Sequence, residues 1–180
     1  MTTEHPHLDV DRLLDVLQRH DVAYLLVGGL SALARGATRP TDDFDCLPER
    51  SAPNLDRLAA ALRDLGARLR VGGLSDEEAK ALPVVIDAST LRSMEISTWR
   101  TDAGDLDVLA AIPDREGHHV RFDELRSRAS TLPLGSHAVM VAALDDVIAS
   151  KEWADRPKDH DALPELRRLR DDERRPHDPS

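Results

Sequence analysis

The chain has 180 residues, which is enough for one domain of ordinary size and too few for two full ones. Hydrophobic residues make up 41% and charged residues 32%, a balance that allows a buried core and excludes a chain that is disordered throughout. The single cysteine, Cys46, excludes an internal disulfide framework and a cysteine-rich zinc site. No run approaches 18 apolar residues, and residues 1–7 lack the features of a signal peptide, so we expect a cytoplasmic protein without a membrane segment.

The charge balance is acidic, with 24 Lys and Arg residues against 34 Asp and Glu residues and a net charge of -10. Such a balance disfavours nonspecific binding to a phosphate backbone, which depends on cationic contacts. It does not exclude a nucleic-acid substrate, because a local basic patch or a bound divalent cation can override the average.

Helices and strands alternate along the first half of the predicted chain. Apolar residues recur at helical spacing after Leu8, and the short apolar run over 22–27 ends at Gly28-Gly29. The predicted elements are a helix after Leu8, a strand over 22–27, a tight turn at Gly28-Gly29, a short helix over 30–35, a strand over 42–47, a helix over 52–65 and a strand over 67–71.

The second half continues the alternation and ends in a pair of helices. The predicted elements are a helix over 75–81, a strand over 84–87, a hairpin whose strands cover 94–101 and 105–112, a helix over 122–129, a strand over 137–142 and helices over 143–154 and 158–171. This order predicts a mixed α/β (α+β) fold, with helices flanking a small sheet and a helical pair at the C-terminus. We expect one domain over residues 8–170, with flexible tails at 1–7 and 171–180.

Two aspartates in the second predicted strand carry the most specific local signal. Alternate residues of a strand face the same side, so Asp43 and Asp45 project together, with Cα atoms about 6.6 Å apart. At an effective dielectric of about 20, their charges repel by roughly 2.5 kcal/mol, which solvent, an arginine or a cation must offset. Magnesium prefers such oxygen ligands, although a polar strand edge has the same appearance.

The sequence around these aspartates offers a phosphate site and a third acid. Glycines after a strand, here Gly28 and Gly29, let backbone N–H groups approach a phosphate. In the later hairpin, Asp105 and Asp107 share one face of their strand, and either acid could complete a three-carboxylate site. Such sites hold two metal ions about 3.5–4 Å apart. The simpler alternative is that Asp105 belongs to the turn and Asp107 faces water.

Three separated blocks together resemble the DNA polymerase β-like nucleotidyltransferase superfamily. The first block runs from Val27-Gly28-Gly29-Leu30-Ser31 to Thr41-Asp42-Asp43-Phe44-Asp45, and the second is Gly104-Asp105-Leu106-Asp107-Val108-Leu109. The third block, residues 151–163, resembles the helix pair of the AbiEii group of bacterial nucleotidyltransferase toxins, which includes the MenT toxins. The glycine block departs from the Gly-Ser of many superfamily members.

The resemblance implies a role for each matched residue. Asp43, Asp45 and Asp107 would bind Mg²⁺ or Mn²⁺, and Asp107 would help to deprotonate the acceptor hydroxyl. Lys151 would contact the phosphates of the nucleoside triphosphate (NTP), with Asp159 ordering that lysine and a nearby arginine. The residues that would bind the triphosphate are Gly28, Gly29, Ser31 and Lys151, while Arg39 could bind phosphate or pair with an aspartate.

The implied activity is transfer of a nucleoside monophosphate from an NTP to an acceptor hydroxyl, with release of pyrophosphate. In the MenT-like branch the acceptor is the 3′ end of tRNA, and a cognate antitoxin restrains the enzyme. For tRNA, Arg167, Arg168 and Arg170, with Arg156 and Lys158, could supply a local basic surface. The alternatives are an aminoglycoside or lincosamide nucleotidyltransferase and a binding module that has lost catalysis.

Overall fold

The computed structural model describes residues 7–175, in which eight helices surround a central sheet. The helices are α1 (Val10–Arg19), α2 (Gly28–Ala34), α3 (Ala52–Asp64), α4 (Asp76–Lys80), α5 (Ala88–Ser93), α6 (Phe122–Arg126), α7 (Leu144–Ala154) and α8 (Pro157–Arg174). The strands are β1 (Tyr24–Leu26), β2 (Asp43–Pro48), β3 (Arg68–Leu69), β4 (Ile96–Thr101), β5 (Gly104–Leu109), β6 (Ile112–Pro113), β7 (His119–Val120), β8 (Ser130–Leu134) and β9 (His137–Val141).

Seven of these strands form one mixed sheet in the order β3-β4-β5-β2-β1-β9-β8, and β6 pairs with β7 separately. Strands β2 and β5 are parallel neighbours, as are β1 and β9, and the other pairs are antiparallel. The predicted fold class, a mixed sheet flanked by helices with a C-terminal helical pair, is confirmed.

The two faces of the sheet are covered by different helices. On one face, Phe44 and Leu106 join a buried cluster with apolar side chains of α1 and α3. On the other face, Leu25 and Leu47 pack with side chains of α6, α7 and α8. Since side chains alternate along β2, Asp43 and Asp45 share the face of Leu47. The acids therefore lie on the side of the C-terminal helices.

The structure corrects several predicted elements after residue 83. Residues 84–87 form no strand; instead the Asp87 side chain accepts a hydrogen bond from the Thr90 N–H and caps α5, which the sequence did not predict. The predicted strand 105–112 is divided, because β5 ends at Leu109 and β6 begins at Ile112. Strands β7 and β8 were also missed.

The C-terminal boundary also differs from the predicted one. Helix α8 continues to Arg174, past the tail expected to start at residue 171, because Arg35 donates a hydrogen bond to Glu173 at 2.7 Å and holds the last turn. The remaining predicted tail residues, 1–6 and 176–180, lie outside the described part of the chain. Within residues 7–175, no helix is both long enough and apolar enough to cross a membrane.

Candidate active site

The two acid-bearing strands lie side by side in the sheet. In the parallel β2/β5 pair, Asp43 is opposite Asp105 and Asp45 is opposite Asp107. Paired residues project to the same side of a sheet, so all four carboxylates lie on one face. The strand pairing thus brings Asp107 beside Asp43 and Asp45, although 61 residues lie between Asp45 and Asp107 in the sequence.

The glycine turn after β1 lies against one of these carboxylates. Gly28 has φ +64°, and a Cβ built on it would overlap the Asp45 side chain. A Cβ on Gly29 would lie 2.6 Å from Thr41 Oγ1. Ser31 is buried, and its hydroxyl donates a hydrogen bond to the Gly28 carbonyl at 2.7 Å, so it supports the turn.

Burial and mutual repulsion make two of the carboxylates reluctant to ionise. Burial, and then the charges of Asp107 and Asp43, raises the pKa of Asp45 from 3.8 to about 7, although Lys151 and Lys158 oppose the shift. Burial also raises the pKa of Asp107, against a hydrogen bond from Thr98 and the charge of Arg70.

An oxygen of Asp107 provides a test of whether this group of acids suits a divalent cation. Asp107 Oδ1 is buried and has no hydrogen-bond partner within the described residues. A buried polar atom without a partner costs about 1–3 kcal/mol, and a cation bound between carboxylates would remove that cost. The donor set of Asp43, Asp45 and Asp107 therefore fits Mg²⁺ or Mn²⁺.

The carboxylate oxygens of the strand acids are nevertheless farther apart than the ligand atoms of a compact metal site. Among the described residues, the three side chains whose candidate ligand atoms all lie within 4.8 Å of one another are Asp114, Glu116 and His118. In that loop the Asp114 carboxylate already accepts hydrogen bonds from the N–H groups of Glu116 and His118. A wider spread of the strand carboxylates agrees with repulsion between unscreened charges.

Asp105 differs from its neighbours because arginines neutralise it. Its carboxylate accepts hydrogen bonds from Arg70 Nη1 at 3.0 Å and from Arg100 Nε at 3.2 Å. The carboxylate is buried together with the Arg100 side chain. The structure therefore separates Asp105 from the three acids that fit a cation.

The C-terminal helices bring a buried ion cluster next to the acids. Asp159 is fully buried and accepts hydrogen bonds from Lys151 Nζ at 3.0 Å and from Arg156 Nε at 2.6 Å. Burial raises the pKa of Asp159, but these bonds outweigh it and hold the pKa below its ordinary value. Because Lys151, Lys158 and Arg156 all interact electrostatically with Asp45, the cluster faces the acid site.

Three of the other cations singled out from the sequence form ion pairs away from the acids. Arg39 lies 3.8 Å from Asp161 in an exposed ion pair. Arg167 donates to Glu152, and Arg170 donates to Asp171. These pairs reduce the basic surface that was expected along the last helix.

Two residues of the site were missed in the sequence, Arg70 and Thr98. Both fall in predicted strands. Since alternate residues of a strand share a face, Arg70 lies on the face of Arg68, and Thr98 lies on the face of Arg100. The missing information was the strand order, which sets β4 beside β5 and β3 beside β4.

Comparison with known proteins reveals similarity at the level of structure. No protein-family model and no curated protein sequence matches the chain. The lincomycin-bound lincosamide antibiotic adenylyltransferase LnuA aligns with a TM-score of 0.59 and 16% identity over 91% of this chain and 99% of that one. ANT(2″)-Ia in complex with adenylyl-2″-tobramycin aligns with a TM-score of 0.53 and 14% identity over 91% of this chain and 93% of that one. The chain thus has a nucleotidyltransferase fold.

Proposed function

We propose that the protein is a metal-dependent nucleotidyltransferase, which transfers a nucleoside monophosphate from an NTP to an acceptor hydroxyl. The observation that carries the proposal is the buried Oδ1 of Asp107, which has no hydrogen-bond partner in the described part of the chain and lies among carboxylates beside the Gly28 turn and the Lys151 cluster. A carboxylate arrangement that is costly when empty, next to cations and a glycine turn, suits a complex of NTP with a divalent cation.

Each residue of the site has a role in this proposal. Asp43, Asp45 and Asp107 would hold the cation, which would neutralise charge on the phosphates when bound. The backbone at Gly28 and Gly29 leaves space for the triphosphate, and Ser31 holds that turn in place.

The transfer step is a substitution at the α-phosphorus. The acceptor oxygen forms a bond to that phosphorus while the bond to the bridging oxygen breaks, and pyrophosphate leaves with the electron pair. A carboxylate oxygen of Asp107 takes the hydroxyl proton. Lys151, ordered by Asp159, binds a phosphate oxygen of the NTP.

Two classes of acceptor are candidates. The resemblance of residues 151–163 to the AbiEii/MenT-like group supports a toxin that modifies the 3′ end of tRNA and is restrained by an antitoxin. The fold shared with LnuA and ANT(2″)-Ia supports an antibiotic as acceptor instead. The acids and the buried lysine cluster are intact, which argues against a binding module that has lost catalysis.

Incubation with α-labelled NTPs and Mg²⁺ tests the proposal directly. Total tRNA, tobramycin and lincomycin are offered as separate acceptors, and labelled product and released pyrophosphate are measured. Wild type should label one acceptor class, and Asp45→Asn should abolish labelling. Asp42→Asn is the matched control, because Asp42 is exposed and lies just outside β2.

The proposal fails if wild type neither labels an acceptor nor binds NTP more tightly with Mg²⁺ than with EDTA. Label in an antibiotic but not in RNA would reject the tRNA toxin and keep the transferase. If Asp43→Ala leaves growth inhibition or partner binding unchanged, the binding module becomes the better explanation.

A further inference from the structure

The direction from which the acceptor approaches follows from the proposed function, on which this inference rests. In phosphoryl-type transfer the attacking and leaving oxygens are roughly in line. The Gly28 turn follows β1 and lies against Asp45, on the side of the acids away from β4. The pyrophosphate leaves on that side. The acceptor must then approach from the other side of Asp107, over strands β4 and β3.

The sheet aligns a row of side chains along that approach. Asp107 is opposite Thr98 in β4, and the Arg70 N–H donates to the Thr98 carbonyl at 2.8 Å, which continues the β3/β4 pairing. Arg70, Thr98, Asp107 and Asp45 thus follow one another across four adjacent chain segments on the same face.

This part of the face is open to solvent. Ile96, which shares the face with Thr98, is 66% exposed, and the Arg70 side chain is 49% exposed. The apolar cluster that α6, α7 and α8 form on this face reaches Leu25, Leu47 and Leu109, and it includes no described residue of β3 or β4. An acceptor can therefore lie over Thr98 and Arg70 without displacing these three helices.

Arg70 is anchored to Asp105, and about half of its side chain is exposed to solvent. Its Nη1 atom donates to Asp105, which Arg100 also binds, so the guanidinium is fixed next to the site. A guanidinium carries five N–H donors in a rigid fork, and this one remains half exposed. Such a fork matches an anionic oxygen and repels an ammonium group.

We propose that Arg70 is an acceptor-binding residue, which takes an anionic oxygen of the acceptor and so favours acceptors with a phosphate beside the hydroxyl group. That chemistry is shared by the terminal phosphodiester of a polynucleotide and by a small sugar phosphate. Polycationic acceptors are disfavoured at this position.

The test measures how Arg70 variants divide their effect between the two substrates. The acceptors are a 12-nucleotide RNA with a free 3′ hydroxyl, ribose 5-phosphate and tobramycin, each with labelled NTP and Mg²⁺. Arg70→Ala should raise the KM of the phosphate-bearing acceptor about tenfold, the worth of one charge-assisted hydrogen bond, and leave the KM of NTP within about twofold. Arg70→Lys should recover part of the loss.

Arg174→Ala is the matched control, since Arg174 pairs with Asp145 on an exposed part of α8. Binding of the labelled RNA, followed by fluorescence anisotropy with a non-hydrolysable NTP, gives a second readout, and thermal melting verifies folding of each variant. Unchanged acceptor KM and RNA affinity in Arg70→Ala would overturn the inference, as would preferred labelling of tobramycin. Either result leaves the transferase itself standing, whereas loss of Mg²⁺-dependent NTP binding by wild type would reject both.

Discussion

Gly28 lies directly against the carboxylate of Asp45, and no side chain fits between them. The glycine has φ +64°, a backbone conformation that costs other residues about 1 kcal/mol or more. Both steric facts point to the same requirement, because the turn after β1 must bring the backbone close to an acid of β2. The glycine pair therefore serves the site as well as the turn.

Replacement of Gly28 by alanine should impair folding and nucleotide binding together. The new methyl group must push Asp45 aside, so we expect a loss of about 2–3 kcal/mol in the free energy of unfolding and at least tenfold weaker NTP binding. Urea denaturation and calorimetric titration measure the two effects. Gly36→Ala is the control, because Gly36 has φ +92° but nothing lies within 4 Å of an added Cβ. Equal effects from both variants would contradict the role of close approach.

The raised pKa of Asp45 predicts how the cation-free protein responds to pH. Because the folded pKa is about 7 rather than 3.8, folding favours the protonated acid. Its stabilising contribution is present below pH 4 and is lost as pH rises through 7. In EDTA at pH 8, Asp45→Asn should therefore raise the melting temperature by about 5 °C, and at pH 4 it should have little effect.

Added Mg²⁺ supplies the complementary measurement for Asp45. At pH 8 it should raise the melting temperature of wild type and of Asp42→Asn, and leave that of Asp45→Asn nearly constant. A destabilised Asp45→Asn protein at pH 8 would show that the carboxylate has a structural partner and is not strained by its neighbours.

The shared face of the strand aspartates could be predicted from sequence because its signal is local. A period of two in strands is enough to place Asp43 with Asp45 and Asp105 with Asp107. Nothing local distinguishes Asp105 from Asp107, since the difference lies in Arg70 and Arg100, which reach Asp105 from other strands. The contacts of these arginines with Asp105 depend on the strand order β3-β4-β5, which is a tertiary property.

The missed elements have equally physical causes. Strand β8 contains Pro133, a residue that is depleted in strands, and it lies at the sheet edge where proline is tolerated. The apolar residues around Val84 suggested a strand, but no strand pairs with them, and Asp87 instead starts a helix. Local propensity predicts neither outcome without the packing around it.

The buried Asp159 should support both the helical pair and nucleotide binding. An amide in its place cannot balance Lys151 and Arg156, so Asp159→Asn should cost about 2 kcal/mol of stability at pH 7 and raise the KM of NTP about tenfold. Because the pKa of Asp159 is lowered, its contribution is present above pH 4 and disappears as pH falls through the folded pKa. The free energies of unfolding of wild type and Asp159→Asn should therefore converge at acidic pH.

Asp161→Asn is the control for Asp159, since Asp161 lies on the same helix and its ion pair within the described residues is an exposed contact of 3.8 Å with Arg39. We expect this variant to keep wild-type stability and KM within about twofold. Similar losses in both variants would indicate a general effect of charge on α8 rather than the buried cluster.

Divalent cations should bind at the strand acids and not at the compact loop group that contains Asp114. Asp107 Oδ1 has no partner among the described residues, whereas the Asp114 carboxylate is occupied by the backbone N–H groups of its own loop. Titration with Mn²⁺, monitored by electron paramagnetic resonance, should show an affinity at least tenfold lower in Asp107→Asn and nearly unchanged in Asp114→Ala. Asp107→Asn should keep its melting temperature in EDTA, because it removes a buried charge that gains little from its surroundings. The opposite order of Mn²⁺ affinities would move the cation to the loop and leave the strand acids without their proposed role.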